Sequence, residues 1–322
     1  MTRRSFVVAA AGSALAAAAP ARSAMGIAET ALHPAKDTIA FLDWAWSLGA
    51  GGIQAHLTSF EADYLKRLRS TAEERGMYVE VMGDLAHIDR IAPAARQAGA
   101  TVIRVVAPGA RRYEAFATLD DWRAAETAAR KEISRAIPIA AQARVAIAIE
   151  NHRDRTLEEM VALMREFAGD WFGVNLDTGN NIALLDDPVE VVEQLAPYAL
   201  ATHIKDMGLE EYKEGFLLDE VVFGAGVVDL RRVSGLITRA HLTMEMLTRD
   251  PTPVDCLTEH YWRVLPDRKG SALARTLRTA RAQERKLPRV TGLPRAAQAA
   301  IEEEAIRYNL FRWGAKNSSS TG

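Results

Sequence analysis

The chain of 322 residues has one cysteine, Cys256, and so can form no internal disulfide. In an oxidising compartment its stability must come from packing, with a bound metal as the one available cross-link. A basic excess is also missing, since 40 Lys and Arg face 42 Asp and Glu. Nucleic-acid binding normally needs that excess, so nucleic acid is a poor default partner. No apolar run reaches the ~20 residues that span a bilayer. The nearest is an N-terminal stretch broken by Gly12-Ser13, so stable membrane insertion is not expected. No glycine-rich phosphate fingerprint follows the first candidate strand, which argues against an open dinucleotide-binding sheet. What is present, 48% hydrophobic and 25% charged residues, is the composition of a globular protein. The length accommodates one large barrel of about 250 residues.

Residues 1–24 stand apart from the rest. They run Arg3-Arg4, Ser5-Phe6-Val7-Val8 and then an alanine-rich stretch to Ala19, with no acidic residue before Glu29. A basic start, a modest apolar stretch and small residues at Ala19-Pro20-Ala21 or Ser23-Ala24 read as a cleavable export signal. The paired arginines ahead of Ser-Phe resemble the twin-arginine type. The expectation is a signal at 1–24, one barrel domain at 25–322 and an exported, periplasmic protein. Without residues 1–24 the chain loses three arginines and no acid, which leaves a net charge of −5.

After the signal, short β-branched runs alternate with amphipathic stretches. Eight strands are expected: Ile39–Trp44, Gly52–Leu57, Met77–Gly83, Thr101–Ala107, Val145–His152, Phe172–Asp177, Ala199–Asp206 and Leu242–Leu247. Near-continuous apolar strands indicate burial on both faces, hence a parallel sheet. Helix punctuation agrees with the count. Thr58-x-x-Glu61 and Thr156-x-x-Glu159 read as capping boxes, Gly76 closes the first of these helices, and Asp187-Pro188 and Asp229 read as N-caps. Eight strand–helix repeats give an α/β fold, a (β/α)8 TIM barrel.

Two parts exceed a minimal barrel. A long loop, Gly208 to Gly226, separates strands seven and eight, and about 75 residues follow Leu247. They form an extended C-terminal helical segment, with helices near Ser271–Lys286 and Ala296–Trp313. Leu310, Phe311 and Trp313 are expected to pack on the barrel or on a second subunit, and the tail from Lys316 to Gly322 reads as disordered.

In a parallel barrel the site lies at the carboxyl ends of the strands. Four consecutive strands end in candidate metal ligands: Glu150, Asp177, His203 and Glu245, spaced by 27, 26 and 42 residues. Side chains two apart share a strand face, which pairs Glu150 with His152 and His203 with Lys205. If the first of each pair faces the axis, three carboxylates and one imidazole converge. Such groups repel and desolvate one another unless a cation lies among them. Oxygen-rich ligation with one nitrogen suits manganese, magnesium, cobalt or zinc. Taken singly, each acid also fits an N-cap or a surface ion pair, and it is the joint pattern that favours one divalent metal ion. Glu80, Asp84 and Arg104 read as structural or surface groups.

In this order, Ile149-Glu150-Asn151-His152, Asn175-Leu-Asp177-Thr-Gly-Asn180, His203-Ile-Lys205-Asp206, Gly224-Ala-Gly226-Val-Val-Asp229 and Met244-Glu245 resemble the xylose isomerase-like barrel superfamily. That superfamily comprises sugar (phosphate) isomerases and epimerases, including ketose 3-epimerases, inosose dehydratase and hydroxypyruvate isomerase. The resemblance covers roughly residues 37–265. It implies that Glu150, Asp177, His203 and Glu245 bind one divalent ion, often manganese, and that Glu150 and Glu245 are the catalytic acid and base on opposite faces of the reacting carbon. His152, Asn180 and Lys205 would bind the substrate, an unphosphorylated sugar or glycoside.

Two departures bear on the reaction. Ketose 3-epimerases commonly have a histidine where this chain has Asn180, and the usual Gly-Glu-Gly loop reads Gly224-Ala225-Gly226, which fits a tight turn. The wording also resembles enzymes that break down 3-oxo-glycosides by C2 deprotonation and elimination at C1. Sugar isomerase or epimerase is therefore the first expectation, with a carbon–oxygen lyase second. A non-catalytic sugar-binding barrel, an abasic-site endonuclease, and a homo-oligomer or partner subunit covering residues 208–226 or the C-terminal helices are the rivals.

Overall fold

A computed structural model describes residues 23–318. The export-signal reading falls almost wholly on residues 1–22, which lie outside the described residues. Eight parallel strands form the barrel: β1 (Gly26–Ala28), β2 (Gly52–His56), β3 (Tyr78–Gly83), β4 (Val102–Val105), β5 (Ala146–Glu150), β6 (Phe172–Asp177), β7 (Ala199–His203) and β10 (Thr243–Met244). The hydrogen-bonded order is β10-β1-β2-β3-β4-β5-β6-β7. Between β7 and β10 the ladder shrinks to one parallel bridge, Ile204 to Met244, which brings the ring to near closure.

The first strand differs from expectation. Ile39–Trp44 lies within a helix, α1 (Thr38–Ser47), and the strand is Gly26–Ala28 instead. The apolar residues of α1 that are buried, Phe41, Leu42 and Ala45, lie on one helical face, and Asp37 caps it by accepting from the amide of Ala40. The other seven strands fall where the sequence places them.

Outside the barrel run α2 (Ala62–Arg75), α3 (Ile88–Gln97), α4 (Arg112–Ala115), α5 (Leu119–Ala143), α6 (Leu157–Phe167), α7 (Pro188–Leu195) and α8 (Leu230–Leu236). Thr156 and Glu159 make the expected capping box at α6, and Asp187 and Asp229 cap α7 and α8. Gly76 ends α2 in the left-handed region, but Thr58 does not cap it. The Thr58 hydroxyl contacts Thr38 and Tyr64, and α2 begins later, with Glu61 as its cap residue.

At the amino end of the barrel, Tyr78 lies across Gly52, where a Cβ would meet its ring at 2.4 Å. Its ring stacks on His241 and its hydroxyl contacts Thr243. Above this plug, Val102, Ala148 and Ala201 fill the interior. Two residues further along the same strands come Arg104, Glu150 and His203, so strand parity delivers the next layer to the carboxyl end.

The segment read as a long loop is an antiparallel hairpin, β8 (Asp206–Tyr212) and β9 (Gly215–Val221), joined by β11 (Thr252–Val254) into a second sheet. It extends β7 beyond the barrel mouth. Three helices complete the chain: α9 (Glu259–Val264), α10 (Gly270–Ala282) and α11 (Arg295–Ser318). The helix α11 packs on the barrel: Glu302 accepts from the Thr248 amide and contacts Thr30, and Asn309 accepts from the amide of Phe223. Leu310 and Trp313 are buried there, whereas Phe311 is 72% exposed. The helix carries the chain through part of the tail read as disordered, and residues 319–322 lie outside the described residues.

Candidate metal centre

Glu150 ends β5, Asp177 ends β6 and His203 ends β7, and each is buried. One ligand atom from each lies within 4.8 Å of the others, so this group could hold a metal ion. Glu245, directly after β10, completes the ring. His203 Nδ1 is 3.3 Å from Glu150 Oε2, 3.4 Å from Glu245 Oε1 and 3.8 Å from Asp177 Oδ2. Ligand atoms about 2.0–2.2 Å from a shared divalent ion are spaced in this way. Of the atoms facing the gap, His203 Nδ1 is buried without a hydrogen-bond partner, and Asp177 Oδ2 has only the ion pair with Lys205. Buried unsatisfied groups are rare and call for an explanation such as a bound ion, so the donor set fits a divalent cation.

The orientation of His203 is fixed from below. Gln54 donates its amide hydrogens to Glu80 Oε2 at 2.9 Å and Asn175 Oδ1 at 3.0 Å, which turns its oxygen to His203 Nε2 at 2.6 Å. That contact places a proton on Nε2 and leaves the Nδ1 lone pair facing the carboxylates.

Two fixed cations border the centre. Arg104, on β4, pairs with Glu150 through Nε at 2.6 Å and through a second guanidinium nitrogen. Lys205 reaches Asp177 Oδ2 at 2.9 Å and Glu220 Oε1 at 3.4 Å, and also pairs with Glu245. Burial alone would raise Glu150, but Arg104 and His203 outweigh it and hold its carboxyl well below the usual range. Glu245 is lowered as well, since Lys205 and His203 overcome its burial. Asp177 goes the other way, raised by burial and by the charges of Glu150 and Glu245 despite Lys205. Burial would lower His203 and Lys205, yet the surrounding carboxylates raise both.

The remaining residues singled out in the sequence fall as follows. Asn180 donates its side-chain amide to Glu150 Oε1 at 2.9 Å, which engages it with a carboxylate of the centre. His152 is mostly buried beside Glu150 and Arg153, with Nδ1 unpaired, and burial pushes it down to about 4. Lys205 makes no ion pair with Asp206 or Glu210; its partners are in the centre. Asp84 is a surface group paired with His87, and Glu80 lies in the barrel below the centre. Arg104 is a correction, because it reaches Glu150 directly. Gln54 and Glu220 were not singled out by the sequence, and Asn175 stood there only inside the Asp177 motif, with no role of its own. The only signal for Gln54 was a polar residue interrupting an apolar strand at inward parity.

The Gly224–Ala225–Gly226 loop wraps Asp206, whose carboxylate accepts from the amides of Met207, Gly224, Gly226 and Val228 at 2.8–3.0 Å. A Cβ at Gly226 would lie 2.2 Å from Asp206 Oδ1. This cradle of amides is therefore filled by the chain's own carboxylate, in keeping with a turn and not a phosphate site.

The chain belongs to the xylose isomerase-like TIM barrel family, whose model matches residues 42–253. No curated protein matches it in sequence. Similar solved structures include an L-ribulose 3-epimerase, at TM-score 0.56 and 15% identity over 92% of this chain and 98% of that one. Another is a xylose isomerase-like TIM barrel protein from Mycobacterium smegmatis in complex with magnesium, at TM-score 0.52 and 18% identity over 72% and 86% of the two chains. A third is the 3-keto-D-glucoside 4-epimerase of E. coli, at TM-score 0.53 and 13% identity over 74% and 97%. At these identities the likeness is one of fold, and it spans nearly the whole length of two of these three proteins.

Proposed function

We propose that the protein is a divalent-metal-dependent sugar isomerase or epimerase that removes a proton from the carbon beside a carbonyl of an unphosphorylated sugar or sugar derivative. The observation that carries this reading is the meeting of Glu150, Asp177, His203 and Glu245 at the barrel mouth, with His203 Nδ1 buried among the carboxylates and without a hydrogen bond. A divalent ion held there, with manganese as the first choice, would stabilise negative charge developing on adjacent substrate oxygens. Glu150 is kept ionised by Arg104 and oriented by Asn180, as a base must be. Glu245 stands on a strand across the barrel and is kept ionised by Lys205, so it can serve the opposite face of the same carbon. Lys205 and His152 lie where they can donate to substrate oxygens.

A second reading, elimination from 3-oxo-glycosides, uses the same proton abstraction. It is favoured by Asn180, which spends its amide on Glu150 where a titrating histidine would return a proton. We also propose that the protein is exported, a reading that rests on the sequence of residues 1–24 alone.

Metal content per chain and solvent-deuterium exchange into ketoses and 3-oxo-glycosides test the proposal together. One ion per chain, lost in Asp177→Ala, with exchange abolished in Glu150→Gln, is the expected result. Elimination would be recognised by release of the C1 substituent. A folded, metal-free chain that binds sugar without exchanging protons would leave a binding barrel as the better account, and two or three zinc ions would favour a nuclease.

A further inference from the structure

A second group of buried polar atoms without internal partners lies beside the centre. It comprises Nη1 and Nη2 of Arg153, the hydroxyl of Tyr113, Nδ1 of His152 and Oδ1 of Asp219. These residues come from three separate elements: the segment after β5, the short helix α4, and β9 of the hairpin. Arg153 is 1% exposed, Asp219 2% and Tyr113 5%. The Arg153 guanidinium borders the Tyr113 hydroxyl without a well-formed hydrogen bond, and its charge reaches His152 and Asp219. His152 in turn feels Glu150 and Lys205, so it joins this group to the carboxylate centre.

A fully buried guanidinium with both terminal nitrogens unbonded is among the least favourable arrangements in a protein interior. Several such atoms gathered beside a candidate active site point to a ligand that satisfies them. Their chemistry narrows the ligand. Arg153 can only donate, an ionised Asp219 can only accept, and Tyr113 and His152 can do either. Phosphate or carboxylate would suit Arg153 but would meet Asp219 and its neighbour Glu220. Hydroxyl groups, which donate and accept, satisfy every member of the set. Burial and the Glu220 charge push Asp219 up to about 7, which lets it also donate near neutral pH.

We propose that Tyr113, Arg153 and Asp219, with His152, form a subsite for the uncharged, hydroxyl-bearing end of the sugar whose reacting carbon lies at the carboxylate centre. The proposal rests on the function inferred above and adds what the ligand set cannot supply, selection of a neutral sugar over a sugar phosphate. The hairpin β8–β9 contributes the acceptor, which gives this extension of the barrel a role in recognition.

Calorimetric titration of the manganese-loaded full chain tests it, with neutral hexoses and methyl glycosides as probes and their 6-phosphates as competitors. The neutral probes should bind about tenfold or more tightly than the phosphates, a difference of the size one buried polar contact produces. Tyr113→Phe should weaken the neutral probes about tenfold while the melting temperature and manganese stoichiometry hold, because the hydroxyl removed makes no well-formed internal hydrogen bond. Asp219→Asn should narrow the gap between neutral and phosphorylated probes.

Unchanged affinity in Tyr113→Phe, or a lowered melting temperature without loss of affinity, would overturn the proposal. So would tighter binding of the phosphates that disappears in Arg153→Met, or failure of every neutral probe to bind. Loss of metal binding or of proton exchange in the parent protein would count against the reaction instead, since probe affinity reports on the subsite alone.

Discussion

Replacing Gln54 with leucine removes one amide and leaves three buried groups without it: Glu80 Oε2, Asn175 Oδ1 and His203 Nε2. Gln54 has no exposed surface, so water cannot take its place without rearrangement. Each abandoned group costs about 1–3 kcal/mol, the charged Glu80 towards the upper end. The leucine side chain returns about 1–2 kcal/mol through its burial. The metal-free protein should therefore lose about 1–8 kcal/mol in urea unfolding. A second effect is separable from the first. With no acceptor at Nε2, His203 is free to turn or change tautomer, and partners of this kind are worth about 10–100-fold in metal affinity. Titration of manganese into the folded variant should show that loss. A variant that binds manganese as tightly as the parent would refute the argument that Gln54 sets the tautomer of His203, whatever its stability.

Lys205→Met should bind manganese at least tenfold more tightly while catalysis falls, because the ammonium competes for Asp177 Oδ2 at 2.9 Å and repels a second cation by about 4 kcal/mol per unit of that cation's charge at 4 Å and intermediate dielectric; weaker binding on titration would contradict this. Gly226→Ala should disorder the loop that wraps Asp206, since its Cβ would lie 2.2 Å from Asp206 Oδ1, and hydrogen exchange at the amides of Gly224, Gly226 and Val228 should speed up. Asp219 holds its proton to about pH 7 when folded, against about 4 when unfolded, so its contribution to stability declines as pH rises through that window. The advantage of Asp219→Asn in denaturant melts should grow from pH 4 to 7, by at most about 1.4 kcal/mol per unit, and level off above it. Export with cleavage after Ala21 would keep the Ser23 amide bond to Gly49 O, whereas cleavage after Ala24 would remove it, and the intact mass of periplasmic protein distinguishes the two.

Strands two to eight were legible because each is a short, nearly continuous apolar run bounded by polar residues. The first was not, because Gly26–Ala28 is three residues long and follows an alanine-rich segment that masks its edge. Ile39–Trp44 has the length and composition of a buried strand, and only the Asp37 cap and the burial of Phe41, Leu42 and Ala45 reveal a helix. The hairpin escaped because its two-residue turn is Lys213-Glu214, with none of the Asn-Gly or Asp-Gly chemistry that announces such turns. The carboxylate ring was readable from strand ends and spacing. Its supporting residues were not, since Gln54 and Arg104 sit within strands and their meaning depends on which neighbour faces them across the barrel.

The charges of the centre explain why those hidden residues matter. Glu150, Asp177, Glu245 and Glu220 bring four carboxylates into a buried volume, against the fixed cations of Arg104 and Lys205 and an imidazole that Gln54 turns toward them. The two cations are not placed symmetrically. Arg104 grips Glu150 from β4 through Oε2, the same oxygen that faces His203, and Lys205 bridges Asp177, Glu245 and Glu220. Each therefore keeps one glutamate ionised. That arrangement separates two requirements that usually conflict, a base with its proton off and a vacancy in charge that a divalent ion can fill. Were Arg104 only a structural or surface group, as its sequence context suggested, Glu150 would lose the largest of the charges that offset its burial. On the proposed reaction, the residue that keeps the base ionised is thus one that no strand-end motif contains.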